Sequence, residues 1–175
     1  MIGIPEKLVN ARVYKNSVEY LGVANIDLPQ MQAMTTSIKG SGISGEIDSV
    51  VTGHYQSMQM KIQFRTPTPW GLNLGAPEPH ELDFRASIDV SDPRTGKRSP
   101  KSSIKVWVKG TPKSSGLGKF EPGATMDSEV ELEVLAMGVW IDGEECVYLD
   151  KFNYICRIGG VDYLADARAA EGMGD

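Results

Sequence analysis

Three glutamates at alternate positions are the first candidates for catalytic residues in this 175-residue sequence. Glu129, Glu131 and Glu133 lie within residues 126–137, where apolar residues separate them. On a strand, alternate side chains lie about 6.5–7 Å apart on one face. That separation would suit the two carboxyl groups of an inverting glycosidase, and carboxylates are also calcium ligands. The alternative is a solvated strand face, which we favour because no second set of carboxylates and no cluster of aromatic residues accompanies them.

A glycine-rich string and two histidines are the other candidates for chemistry. Residues 40–45, GSGISG, match the G-x-G-x-x-G pattern of dinucleotide-binding folds, which needs a following helix whose N-terminus holds pyrophosphate. Here Glu46 and Asp48 lead into a strand pattern instead, so we interpret the string as a flexible loop. His54 and His80 have no nucleophile or metal ligand at a suitable spacing. We therefore predict no catalytic site, no metal and no cofactor.

Composition and charge narrow the classes of protein further. The residues are 41% hydrophobic and 23% charged, which predicts one globular domain over residues 1–175. No apolar run approaches the roughly 18 residues of a membrane span, and the start has no signal-peptide pattern, so we expect folding in the cytoplasm. A net charge of −5 argues against tight nucleic-acid binding. In the cytoplasm Cys146 and Cys156 are expected to stay free thiols, although pairing across neighbouring strands is an open alternative.

A long two-faced strand is predicted over residues 54–65. Towards its end apolar residues occupy the even positions and polar residues, among them Lys61 and Gln63, occupy the odd ones. This alternation is typical of a strand with one buried and one solvated face. The glycine-rich residues 39–53 before it are predicted to form a long flexible loop, because glycine adopts backbone angles that are barred to other residues.

The same alternation recurs along the chain. It predicts long strands over residues 81–90, 103–109 and 126–137, with loops over residues 91–102 and 110–123 between them. Shorter strands are predicted over residues 8–15, 18–24, 31–39, 139–141, 146–149 and 151–158.

Turn residues mark where these strands reverse. Lys15-Asn16-Ser17 predicts one hairpin, and Asp142-Gly143 is a preferred dipeptide for a two-residue hairpin turn. Both turns would join strands that are adjacent in the chain.

Two further segments lie outside the strand pattern. Residues 66–79 contain four prolines and two glycines, which predicts no regular element there. The tail is predicted to be a short helix with Asp162 as its N-cap and Gly172 as its end. We expect three apolar side chains of the proline-rich segment to fold back on the sheet: Trp70, Leu72 and Leu74.

Seven or eight strands with one short terminal helix predict an all-β fold, a β-sandwich or barrel. Such a sheet has unpaired edges unless they are covered. Joining sheets edge to edge between identical subunits would close them into one ring-shaped composite β-barrel, whose lumen the polar faces would line. An isolated sandwich would show the same alternation, so the ring is a hypothesis on the pattern alone.

Several runs of the sequence resemble, in the same order, the major tail tube protein of contractile-tailed bacteriophages. The resemblance also extends to the inner tube subunit of R-type bacteriocins. It covers nearly the whole chain and is least clear over residues 66–125. The matching runs are IPEKLVNARVYK, LGVANIDLPQMQAMT, IKGSGISGEIDS, GHYQSMQMKIQFRT and, at the C-terminal end, NYICRIGGVDYLADARAAEG.

The resemblance implies a structural subunit with no active site. Such subunits form hexameric rings that stack into a rigid tube inside a contractile sheath. It implies contacts with sheath, tape measure, baseplate and tail terminator proteins. In a phage, DNA passes through the lumen without specific binding; in a bacteriocin the open bore dissipates ion gradients. The expected location is the virion or bacteriocin particle, assembled in the host cytoplasm.

The resemblance also assigns residues. The loop 39–53 corresponds to the family's loop that contacts neighbouring subunits, and its predicted inter-subunit residues are Gly40, Gly42, Gly45, Glu46 and Asp48. The predicted lumen-lining residues are Glu129, Glu131 and Glu133, with Lys61 and Gln63 as further candidates. A wall of like charge would keep DNA from adhering.

Two alternative functions stay open at this stage. One is the tube subunit of a related contractile secretion or injection system, which would share the fold and the mechanical role. The other is a β-sandwich module that binds carbohydrate. The second would need clustered exposed aromatic residues, whereas the 7% aromatic content includes three tryptophans that are spread along the chain.

Overall fold

A computed structural model of the chain describes residues 4–16, 19–20, 25–92, 94–95 and 98–173. Strands dominate these ranges, and the two helices are short. The elements in chain order are β1 Ile4–Lys15, β2 Glu19–Tyr20, β3 Asn25–Asp27, β4 Ala33–Lys39, β5 Glu46–Tyr55, β6 Gln59–Phe64, α1 Pro69–Asn73, β7 His80–Ser91, β8 Arg98–Gly116, β9 Ser128–Ile141, β10 Glu144–Asp150, β11 Ile155–Ile158, β12 Val161–Asp162 and α2 Ala165–Ala170. The prediction of an all-β fold with a short C-terminal helix is confirmed.

One antiparallel sheet organises the body of the protein. Its strands follow the order β12-β11-β10-β9-β8-β7-β1-β2. The first half of β9 pairs with β6 and the second half with β10, so these two strands lie end to end along one edge of β9. β3 pairs with the far side of β6 and completes the ten-stranded sheet. Hairpin connections account for the antiparallel run from β7 to β12, whereas the antiparallel pairs β1–β7, β3–β6 and β6–β9 join strands that are far apart in the chain.

The core forms where the apolar faces of these strands meet. Met60 lies opposite Leu132 across β6 and β9, and both are fully buried. Leu82 lies opposite Val108 across β7 and β8, and both are fully buried too. Burying a side chain of this size contributes about 1.5–3 kcal/mol relative to leaving it in water. The predicted alternation is therefore confirmed in β6, in β8 and in the first part of β9. In β7 it fails at Asp83, which is buried although it was predicted on the solvated side, and residues 86–91 are all half-buried.

A separate two-stranded sheet projects from this body. β4 and β5 pair only with each other among the described residues, and we call residues 33–55 the arm. The prediction of a loop over residues 39–53 is wrong for residues 46–53, which belong to β5. Its β-branched residues favour a strand, and the glycines concentrate in the turn of residues 40–45. The strand predicted over residues 31–39 is confirmed, beginning at residue 33.

Two predicted strands are shorter in the structure. The strand predicted over residues 54–65 is interrupted at residues 56–58, where β5 ends and β6 has not begun. Of residues 151–158, only the last four are strand, because residues 151–154 form a turn.

A third predicted strand is longer in the structure. β8 runs well beyond residues 103–109 on both sides, so the loop predicted over residues 110–123 begins only at residue 117. The polar and glycine residues that indicate a loop there still pair with β9. Most of the strand predicted over residues 18–24 lies outside the described residues.

The proline-rich segment contains a helix, although no regular element was predicted there. α1 begins after Thr68, whose side-chain oxygen accepts a hydrogen bond from the Gly71 amide at 3.0 Å. Proline suits the first position of a helix, where its missing N–H is not needed. Leu74 is fully buried as expected, but Trp70 and Leu72 are each 49% exposed and do not plug the sheet.

One predicted hairpin and the predicted end of the C-terminal helix are confirmed, but the start of that helix is not. Asp142 and Gly143 both have positive φ, as a type I′ hairpin turn requires, so that hairpin is confirmed. The N-cap of α2 is Leu164 and not Asp162, whose carboxylate instead accepts a hydrogen bond from the Leu164 amide at 3.1 Å. The predicted helix end at Gly172, with φ of 70°, is confirmed.

Candidate assembly surfaces

The three glutamates singled out in the sequence lie on the polar face of the sheet, and each has a lysine nearby. Lys61 Nζ lies 2.7 Å from Glu129, Lys113 Nζ 4.0 Å from Glu131 and Lys151 Nζ 3.8 Å from Glu133. The lysines come from β6, from β8 and from the turn after β10. The face is therefore a ladder of ion pairs and not an uncompensated acidic surface.

The closest of these pairs shifts the pKa of both partners. The hydrogen bond from Lys61 lowers the pKa of Glu129, and the same bond raises the pKa of Lys61. Both groups are therefore charged across the neutral pH range. Gln63 lies opposite Glu129 in the register, so the structure brings all five predicted lumen residues to one face. The lysine partners outside β6 were not identified from the sequence, because the contacts depend on strand register.

An acidic residue on this face is covered by its neighbours. Asp83 is only 1% exposed although it lies on the polar side of β7. It lies between Tyr14 of β1 and Trp107 of β8 in the register. Lys105 and Arg85 approach it at 3.7 and 3.8 Å. Two cations beside one buried carboxylate keep this part of the face from carrying net negative charge.

Aromatic rings cluster over a glycine on the same face. Trp107 and Tyr148 are parallel, with their ring centroids 6.0 Å apart, and they come from the strands on either side of Gly138. A Cβ atom at Gly138 would lie 2.3 Å from the Trp140 ring, so only glycine fits beneath these rings. Arg157 and Lys105 lie over the Tyr148 and Trp140 rings. The rings tie together β8, β9 and β10 on the polar face.

The arm places the predicted inter-subunit residues in two groups. Gly40, Gly42 and Gly45 lie in the turn at its tip, and a Cβ atom at any of them would meet open space. Glu46 and Asp48 lie at the start of β5. Glu46 pairs with Lys39 at 3.0 Å, and its hydrogen bond with Ser37 is the larger cause of its lowered pKa.

The arm exposes large apolar side chains. Ile38 of β4 lies directly opposite Ile47 of β5, and these side chains are 44% and 52% exposed. Met34 and Val50 are also large and exposed. A two-stranded ribbon is marginally stable alone, and exposed apolar patches of this kind mark protein–protein contacts.

The body carries a second apolar surface. A groove of about 450 Å³ lies between β3 and the β1–β7–β8 part of the sheet, lined by residues that include Leu8, Ile26, Phe84 and Ile104. Leu8 is 55% exposed there. In addition, Ile4–Val13 of β1 pair only with β7 among the described residues, so the other side of this strand is an open sheet edge.

No three His, Cys, Asp or Glu side chains of the described residues converge to hold a metal ion. Cys146 and Cys156 are free thiols, and burial raises the pKa of Cys156. His54 is exposed, and buried His80 contacts the Ala76 carbonyl at 3.2 Å. Neither described helix has the length and apolarity that crossing a membrane requires.

A family profile and a known tail tube protein each match nearly the whole chain. The profile of the family described as phage tail tube protein FII matches residues 5–172. The tail tube protein of Escherichia phage P2 is 25% identical over 177 residues, covering 98% of this chain and all of that protein.

Solved structures give a more distant likeness. A chain from the PVC extracellular contractile injection system, in the sheath/tube terminator in its extended state, is 12% identical with a TM-score of 0.55 and covers 80% of this chain and 99% of its own. A chain of the sheath–tube complex of the same kind of system is 12% identical with a TM-score of 0.49, covering 78% of this chain and 91% of its own.

Proposed function

The chain belongs to the family of phage tail tube protein FII, and we propose that it is the structural subunit of the rigid inner tube of a contractile tail. The match over residues 5–172 is the observation that carries the proposal. This is a family of structural proteins and not of enzymes. The role is mechanical: copies of the chain form hexameric rings, and the rings stack into a conduit.

Open edges and exposed apolar surfaces support self-assembly. The unpaired side of β1, the exposed pair Ile38 and Ile47 and the groove at Leu8 would all stay in water in a single subunit. Contacts between copies would bury them. Identical subunits arranged head to tail around a rotation axis close such contacts into a ring. Closure into one continuous barrel would also remove the sheet edges.

The polar face of the sheet lines the bore in this proposal. Glu129, Glu131 and Glu133 would face the lumen together with Lys61 and Gln63. Since each glutamate has a lysine within 4.0 Å, the wall would carry little net charge. A wall of closed ion pairs offers few unpaired cations to phosphate groups, so DNA could pass without being held.

The arm joins subunits, and its tip glycines allow the turn to fit against a neighbour. Gly40, Gly42 and Gly45 have the positive φ angles, or the open surroundings, that such a turn uses. The partners outside the ring are then the sheath, the tape measure protein, the baseplate and the tail terminator. The particle is a phage virion or an R-type bacteriocin assembled in the bacterial cytoplasm.

The test is electron microscopy of the purified protein with mass measurement over a range of concentrations. Rings and stacked tubes that grow with concentration are expected. The accompanying components of the native particle distinguish a phage tail from the alternative, a related contractile injection system. A strictly monomeric chain at high concentration would contradict the proposal.

A further inference from the structure

The base of the arm rests on the C-terminal part of the chain. Gly53, near the end of β5, has a φ of 71° and lies against the buried side chain of Leu164. A Cβ atom at Gly53 would lie 2.6 Å from Leu164 Cγ. The contact therefore requires glycine in the arm, both for its backbone angle and for its lack of a side chain.

Three more contacts join the next residues of the chain to the same region. The His54 ring meets the edge of the Tyr154 ring with centroids 6.3 Å apart. The Lys151 Nζ atom donates a hydrogen bond to the Gln56 carbonyl at 3.1 Å. The third contact is between the Tyr55 hydroxyl and Cys156 Sγ, 4.0 Å apart. We call residues 151–168 the seat.

The seat is braced internally. Arg168 of α2 donates to the Tyr154 carbonyl and to Asp162 Oδ2, both at 2.7 Å. Asp162 Oδ1 in turn accepts from the Leu164 amide at 3.1 Å. Tyr154 has a φ of 51°, an angle that is unfavourable for a tyrosine and that the Arg168 contact helps to hold. One arginine thus fixes both groups on which the arm rests.

The rest of the arm has little else to direct it. Within the described residues, β4 and β5 pair with no other strand, and residues 34–39 are all exposed. The Gln56 amide donates to the Gln32 carbonyl at 2.8 Å and closes the base of the ribbon. The direction of the arm is therefore decided at its base.

We propose that the seat, and α2 through Arg168, positions the arm for contact with a neighbouring copy. The arm's direction is a property of the single subunit, and only its consequence for assembly rests on the proposed function. Arg168 and Leu164 are positioning residues, since they act through the arm and not by touching the neighbour.

The arm's direction is measured in dilute subunits by electron spin resonance distances between two spin labels. The labels are placed at Ser44→Cys in the tip and at Ser115→Cys in the body, in a Cys146→Ser background. Cys156 is only 1% exposed and stays unlabelled. Arg168→Gln and Gly53→Ala are the test variants. The matched control is Gly123→Ala, which also has a positive φ but whose Cβ meets open space.

The parent protein and the Gly123→Ala control should give one narrow distance distribution. Arg168→Gln and Gly53→Ala should each broaden it at least twofold and raise the concentration needed for tube formation about tenfold. Adding Leu164→Ala to Gly53→Ala relieves the clash but not the strained φ at residue 53, so it should narrow the distribution only in part. Hydrogen exchange in β8 and β9 verifies that each variant is folded.

A narrow distribution in every folded variant would overturn the inference, whatever the tubes do. A broader distribution with unchanged assembly would show that the arm's direction has no role in polymerisation. That result would overturn the proposal that the seat positions the arm for contact with a neighbouring copy. If the parent protein forms no tubes at all, the proposed function fails while the distance measurement still decides on the seat. If neither test variant folds, Leu164→Ala alone is measured in the same way.

Discussion

Lys61 and Glu129 form an ion pair diagonally across β6 and β9. Their Nζ and Oε2 atoms lie 2.7 Å apart, although the residue directly opposite Lys61 in the register is Glu131. The diagonal contact leaves Glu131 to Lys113, which reaches it from the other side of β9. The glutamates of β9 thus draw their partners from both neighbouring strands, and the polar face is neutralised in the plane of the sheet.

Removing the three glutamates should turn the wall cationic. In the triple change of Glu129, Glu131 and Glu133 to Gln, three lysines lose their counter-ions. We expect tubes to form as before, because exposed ion pairs contribute little to stability. Preformed tubes should then retain DNA fragments, with affinity that falls steeply as salt rises. Retention is measured by co-sedimentation at two salt concentrations.

The control for this change is the reverse triple, Lys61, Lys113 and Lys151 to Gln, which leaves the glutamates alone. It should exclude DNA at least as well as the parent tube. If the variant with the three glutamates changed to Gln unfolds, the glutamate side chains are structural. If it assembles and DNA still does not bind, the polar face does not line the bore.

The apolar pair of the arm should be needed for assembly and not for folding. Ile38 and Ile47 face each other across β4 and β5 with about half of each side chain in solvent. Changing both to Ser should leave the unfolding transition of the body nearly unchanged and raise the concentration for polymerisation at least tenfold. Light scattering and sedimentation measure the onset. The conservative pair Ile38→Val and Ile47→Val should assemble normally; normal assembly of the Ser pair would show that the arm is not a joint.

Gly138 should tolerate no side chain. A methyl group there would lie 2.3 Å from the Trp140 ring, forcing apart the rings that bridge β8 and β10. Overpacking of this kind costs about 1–3 kcal/mol. Denaturant unfolding of Gly138→Ala should show that loss. Gly116→Ala, whose Cβ meets only the Glu129 side chain at 3.3 Å, should show a much smaller one. Equal losses would mean that the ring cluster is loose.

Acid should loosen the seat through Asp162. The hydrogen bond from Arg168 lowers the pKa of Asp162 below its ordinary value of 3.8. A depressed pKa means that the carboxylate contributes stability above pH 3.8, which is lost as the pH falls through the folded-state value. Asp162→Asn should therefore be less stable than the parent at pH 6, by about 1.5–3 kcal/mol for bonds to a charged group. The difference in unfolding free energy should shrink towards pH 3; a constant difference would rule out the ionised pair.

The strands and their buried faces were predictable because alternation is local. Leu132 and Met60 each show their inward orientation through their immediate neighbours in the sequence. α1 was missed because four prolines outweighed the cap that Thr68 provides. The strand nature of residues 46–53 was missed because the glycines before them suggested a continuous loop.

The electrostatics of the polar face could not be predicted in the same way. The sequence shows a run of glutamates, and an acidic wall is the direct interpretation. Two of their lysine partners, Lys113 and Lys151, are far from the glutamates in the sequence. Strand register brings them close, and no local sequence pattern shows that register. The burial of Asp83 likewise depends on Tyr14 and Trp107, which come from two other strands.

Cryo-electron microscopy of tubes formed by the purified chain would show which face of the sheet lines the bore and what each arm contacts. We expect stacked sixfold rings with a continuous inner β-barrel, the side chains of Glu129, Glu131 and Glu133 facing the bore, and each arm against another copy. Subunits that stay monomeric at high concentration, or tubes whose bore is lined by the other face of the sheet, would contradict this expectation.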